Sequence, residues 1–258
     1  MKPLDELLLL SKNDIPFSAA RLSLHQPTIK EIAYIGEENF FTGIHFLNLS
    51  KSRLDLEEQE KLKDVSEFDI ILEMVQSRNP SAQIDKNAAL LVLTLIFPDY
   101  KILFLPTMIA FVKDGENFMV NQENFVEFRD ILKQMFCLDE LNGGKDKEYN
   151  PVNAAAARIA NQIYKHRKKI AELNKKSGQS LSILARYLSI LAVGEQKDMN
   201  TLLEYSVYQL FDEFNRFNLK QQSDLYISAK LAGATDLREV KDWTENVHTD
   251  LDNDDDNN

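Results

Sequence analysis

A single cysteine, Cys137, excludes an intramolecular disulfide framework and a metal site built from cysteine alone. Glycine and proline are scarce too, 8 and 7 in 258 residues, which argues against a loop-rich all-β fold. The four histidines, His25, His45, His166 and His248, are dispersed without the helical spacing of a zinc site. No Gly-x-Ser-x-Gly elbow is present. No apolar run approaches the length of a membrane span. The short run Leu7 to Leu10 follows Asp5 and Glu6, too short and wrongly charged for a signal peptide. Basic residues are outnumbered, 30 Lys and Arg against 41 Asp and Glu, and the net charge of −11 disfavours generic binding to phosphate backbones. Together these absences point to a soluble intracellular protein that is not an enzyme, with no cofactor, no metal, no membrane and no nucleic-acid partner.

What is present is apolar surface arranged for helices. The apolar fraction of 44% is enough for sizeable cores. Ser180 to Ala234 is the most telling stretch, and it reads as two or three helices. The helix opening at Ser182 carries Leu184, Tyr187, Leu188, Ile190, Leu191 and Val193, apolar almost all round, with Gly194 placed to stop it. Asp198 or Asn200 caps the next helix, and Thr201 with Glu204 has capping-box spacing. Leu203, Val207, Leu210, Phe214 and Phe217 then form one seam at spacings of four and three.

Upstream, Ile15 to Leu24 allows a short strand through Ala20, Leu22 and Leu24. Pro27 suits the first turn of a helix that Gly36 bends or ends before a second one. Leu54 to Val65 reads as a charged exposed helix, and Ser66 caps another. Arg78 to Ser81 is a break, and Asn87 to Phe97 is a core helix, with a buried strand as the alternative. Lys101–Leu105, Thr107–Val112 and Phe118–Val120 form a small sheet with a turn at Lys113 to Asn117. Asn121 caps a helix whose face is Phe125, Phe128, Ile131, Leu132 and Met135. The expected fold is therefore mainly α, with a small antiparallel β element in the N-terminal half. The expected organisation is a mixed domain over 1–138, a polar linker at 139–150, a helical domain over 151–248 and a disordered acidic tail at 249–258. Trp243 sits in a short helix near the end of the helical domain.

Several constellations come close to known chemistry and fall short. The Asp-rich tail from Asp250 to Asp256 has the alternating carboxylates of a calcium loop but lacks its glycine and its closing glutamate. Gly143-Gly144-Lys145 lacks the earlier glycine and the hydroxyl residue of a phosphate loop. Cys137 ends an apolar helix with no basic neighbour in sequence, the pattern of a buried, inert thiol. The sharpest anomaly is basic. From Arg158 to Lys176 there are seven Lys and Arg against Glu172 alone. Lys165, Arg167, Lys168, Lys169, Lys175 and Lys176 are either a solvated helix face or a docking strip for an acidic partner, the chain's own Asp-rich tail included.

Three stretches also resemble a known family: Gln26 to Phe41, Gly144 to Ala157 and Leu188 to Phe217. They resemble a protein of tailed bacteriophages and prophages of Gram-positive bacteria, the tail assembly chaperone or tail-morphogenesis family. The resemblance rests on overall wording and carries no catalytic signature. It implies a non-catalytic protein of the host bacterial cytoplasm that binds and holds the tape-measure protein, or another phage tail protein, with self-association as an additional mode. The alternative is a structural tail component retained in the virion. This chain is longer than the better-known tail chaperones.

Overall fold

The fold is taken from a computed structural model, which describes residues 3–51, 62–138, 182–234 and 243–244. The chain opens with α1 (Glu6–Ser11), capped by the Asp5 side chain and closed by Lys12 in the left-handed region. A hairpin follows, β1 (Ile15–Phe17) and β2 (Leu22–Leu24), joined by a short 3-10 turn over Ser18–Ala20. Next come α2 (Ile29–Ile35), α3 (Glu37–Leu47), α4 (Glu67–Gln76) and α5 (Pro80–Ile96). A meander of β3 (Lys101–Phe104), β4 (Ile109–Lys113) and β5 (Glu116–Val120) leads into α6 (Phe125–Met135). The described part of the second region holds α7 (Ile183–Gly194), α8 (Met199–Leu203) and α9 (Val207–Leu231).

The expectation of a mainly α fold is thereby corrected. Among the described residues, nine α-helices accompany two antiparallel sheets, of two and three strands, and the protein is mixed α/β. The three-stranded sheet falls where alternation places it. The β1–β2 pair had only half a signal, because three-residue strands are too short for a period-2 pattern and Pro16 sits inside one of them. Ala20 belongs to the turn, and Arg21 at φ 54° makes the corner.

Local chemistry explains most boundaries. Thr28 and Glu31 form a full capping box for α2, so Pro27 stands outside the helix and the cap sets its start. Gly36, at φ 84°, ends α2 and leads straight into α3, a conformation that L side chains rarely adopt. Asn79-Pro80, expected to be a break, is instead the cap and first residue of α5. Asp114 and Gly115 both have positive φ between the paired Lys113 and Glu116, the two-residue turn that matches strand twist.

One core joins these elements. A chain of rings crosses it: Phe68 on Phe125, Phe125 on Phe128, Phe128 on Phe17 and Phe97, and Phe97 on Phe111. Such pairs add about 0.5–1.5 kcal/mol each to their burial. α3 and α5 lie closest at Gly43, where an added Cβ would stand 2.4 Å from the Ala88 carbonyl oxygen. The second region shares this core through Leu184, Leu188, Leu191, Leu202, Val207, Leu210 and Phe211. Its seat is main-chain. Ile29 N–H donates to Tyr205 O at 2.8 Å, and Thr28 bridges Ser206. The expected helix at 54–65 lies mostly outside the described residues, as do the expected linker at 139–150 and the tail at 249–258.

Candidate functional site

α7 and α9 are held together by rings and one small residue. Tyr187 stacks on Phe214 with centroids 4.0 Å apart and meets Phe211 edge-on at 5.0 Å. A Cβ on Gly194 would meet the Phe217 ring at 2.4 Å, so this glycine lets two helices approach. Gly194 is the last residue of α7, not the stop beyond it, and the positive φ falls on Gln196. Asp198 caps α8 through the N–H groups of Asn200 and Thr201, as expected. The long helix restarts at a second capping box, Ser206 with Gln209, so Leu203 is cut off from the seam that runs from Val207.

α9 has two unlike halves. Val207, Tyr208, Leu210 and Phe211 are buried, whereas Leu225 is 69% exposed, Ile227 51% and Leu231 84%. Leu225 lies eighteen residues, five full turns, beyond Val207 and so on the same face. The buried seam is therefore continued by Leu225, whereas Ile227 and Leu231, eighteen residues beyond Gln209 and Glu213, lie on the opposite side of α9. Val193, 82% exposed, adds apolar surface at the end of α7. The expected burial of α7 almost all round is not met: Leu184, Leu188 and Leu191 form one buried stripe, and the rest is half-buried or open.

Charged groups frame this surface. Lys197 is drawn to Glu213 and to the Tyr205 hydroxyl at 3.0 Å, with Glu195 at 3.8 Å. Arg216 joins Asp212 at 3.1 Å and Glu6 of α1 at 3.4 Å. Lys230 lies over the Tyr226 ring at 5.0 Å.

Two polar clefts lie elsewhere. The first, about 320 Å³, sits between α1, α2 and the end of α8 and is lined by Lys12, His25, Gln26, Lys30, Glu31 and Glu204 among others. Burial pushes the Glu31 carboxyl up, but hydrogen bonds from the Thr28 N–H and hydroxyl, with the nearby His25 ring, hold it below the usual carboxylate range. Lys30 is raised by its hydrogen bond and charge pairing with Glu204. The second cleft, about 430 Å³, is lined by Lys51, Ser66, Glu67, Phe68, Val126 and Arg129 among others. There burial raises Glu67, while the Lys51 N–H, the Arg129 guanidinium and Ser50 outweigh it and hold it low. In the first cleft Lys30 pairs with Glu204 and His25 lies at Glu31; in the second Arg129 pairs with Glu67, and the Lys51 ammonium donates to the Lys63 carbonyl.

Among the described residues no group of His, Cys, Asp and Glu could hold a metal ion. Cys137 is buried, with Sγ 4.0 Å from the Gln134 carbonyl. His25 lies between Asp14 and Glu31, and His45 stacks on Phe41 in a separate place. No helix among the described residues is long and apolar enough to cross a membrane. The basic strip of Lys165, Arg167, Lys168, Lys169, Lys175 and Lys176 lies outside the described residues, as do His166, His248 and the Asp-rich tail. The surface that the structure does reveal, on the second half of α9, had a faint signal in the sequence. Leu225 follows the Phe214 period, but Gln221 and Ser228 dilute it.

Residues 174–248, which span α7 to α9, match the family described as YomV second domain, a Bacillus phage-type protein family. No curated protein and no solved structure matches the chain. The match covers less than half of the sequence, and it marks the chain as phage-related.

Proposed function

We propose that the protein is a non-catalytic holding protein of phage tail assembly. It binds apolar helical segments of a tail protein, the tape-measure protein foremost, in the host cytoplasm until that protein is assembled. The observation that carries this reading is the exposed aliphatic surface on the second half of α9, Leu225 on one side and Ile227 with Leu231 on the other, within the segment that matches a phage-type family. Long amphipathic helices need an apolar surface to lie on before they find their final partners, and a helix-to-helix seam offers one. The acidic balance of the chain keeps such a loaded complex soluble.

Co-expression with the tape-measure protein tests the reading. The expected result is more soluble tape-measure protein, co-purifying with this chain, and loss of both effects on changing Leu225 and Leu231 to Lys. No gain in solubility together with no co-purification overturns it. A stoichiometric band of this chain in purified particles would favour a structural tail component instead.

A further inference from the structure

We infer that α1 is a resident stand-in for the client: a strap lying in the groove beside α6 and α9 that yields to an amphipathic helix of the partner. This rests on the holding role proposed above.

Three observations meet here. First, α1 cannot hold itself. Six residues are too few for a helix to persist alone, so its order comes from the groove. Leu9 is buried, Leu4, Leu8 and Leu10 pack half-buried against the core, and Leu7 faces solvent.

Second, the groove grips main chain. Gln134 on α6 accepts the Leu4 N–H at 2.7 Å, Gln209 on α9 donates to Leu10 O at 2.6 Å, and Gln26 donates to Leu8 O at 3.1 Å. Such contacts do not depend on the identity of the strap's side chains. Gln26 is 1% exposed, yet its Oε1 has no hydrogen-bond partner, so a buried acceptor beside the strap goes unused by α1. The side-chain reading comes from the leucines and from Arg216, which meets Glu6.

Third, the face of α9 that α1 lies on continues past α1 with exposed apolar surface. Glu6 lies at Arg216 and Leu10 at Gln209, so α1 runs antiparallel to α9, and its N-terminal end points along α9 toward the exposed half. Ile227, half exposed, is eighteen residues beyond Gln209 and so on the same face, about 16 Å further along than Arg216. A client segment with a helix seated as α1 is, and chain extending before that helix, would fill the same seat and reach over Ile227. Its chemistry is that of α1 extended: aliphatic residues at the spacing of Leu4, Leu8 and Leu9, and a carboxylate placed to meet Arg216.

The test uses the full chain and a labelled synthetic peptide of residues 3–12. Saturable binding of the peptide is expected, tightened at least about tenfold by Leu9→Ala in the protein, because weakening the resident strap raises the open fraction. Hydrogen exchange of residues 5–11 should accelerate by a similar factor, with residues 207–214 unchanged. No peptide binding to either protein, or equal binding to both, overturns the inference. Should Leu9→Ala lose its circular dichroism, the wild-type chain decides. Exchange of residues 5–11 at least about tenfold faster than 207–214 supports the strap, and equal rates overturn it. Peptide binding alongside a failed co-expression would remove the tape-measure reading and leave the groove.

Discussion

Replacing Gly43 with alanine sets two physical terms against each other. Gly43 sits inside α3, where alanine is favoured by about 0.5–1 kcal/mol on backbone entropy alone. Its Cβ, however, would stand 2.4 Å from Ala88 O, 2.7 Å from Ala88 C and 2.7 Å from a Val92 methyl. Two of these are backbone atoms of α5, so no side chain can swing away and the helices themselves must separate. Overpacking of this kind costs about 1–3 kcal/mol, and prying a close helix pair apart places the cost at the upper end. After the propensity gain, a net loss of about 2 kcal/mol remains. With a urea dependence of about 2–3 kcal/mol per M, the midpoint should fall by about 1 M. Val92→Ala in the Gly43→Ala background should recover only part of this, because the contact with Ala88 O persists. A Gly43→Ala protein as stable as the parent, or more so, would refute the close approach of α3 and α5.

Thr28→Ala and Ser206→Ala should each cost about 1 kcal/mol through a lost helix cap, and because the two residues bridge each other the double variant should depart from additivity in a double-mutant cycle. Glu67→Gln should destabilise by about 1–3 kcal/mol at pH 7, since it leaves the Arg129 guanidinium half-buried without its carboxylate. Glu67 is held low in the fold, so its contribution is present above the unfolded carboxylate range and lost as pH falls through the folded value; the gap between parent and variant in urea titrations should close as pH falls below the unfolded carboxylate range. Leu225→Lys and Leu231→Lys should leave the unfolding free energy from urea titration within about 0.5 kcal/mol of the parent while abolishing rescue of the tape-measure protein.

Elements with a strong period or cap were legible. The buried face of α6, from Phe125 to Met135, comes directly from spacing, as do the caps at Ser66 and Asp198. Legibility fails where two local signals compete. Asn79-Pro80 has the cap-then-proline pattern of a helix start, yet it reads as a break when the polar residues around it are weighed first. Leu203 fits the α9 seam by count, but two caps a short distance apart outrank it and divide the helix. Gly194 carries the usual mark of a helix stop, while its actual constraint is the ring of Phe217, a distant residue that no local pattern can supply. The candidate surface is harder still, because exposure depends on where neighbouring helices end, and that is a property of the assembled fold.

The apolar run in α7 illustrates this dependence on neighbours. A helix greasy on nearly every side implies burial on nearly every side only if the helices around it are long enough to wrap it. Here one stripe meets α9 and the core, and Val193 is left open where α7 stops. α9 continues past Phe217 to Leu231 without α7 beside it, and Leu225, Ile227 and Leu231 ride on that overhang. A monomer stable by itself gains nothing from such an arrangement, since polar residues at those three positions would serve equally well on a solvated helix. Apolar side chains kept on an overhang, beside a groove already filled by a short leucine helix of the same chain, fit a surface used intermittently and by helices.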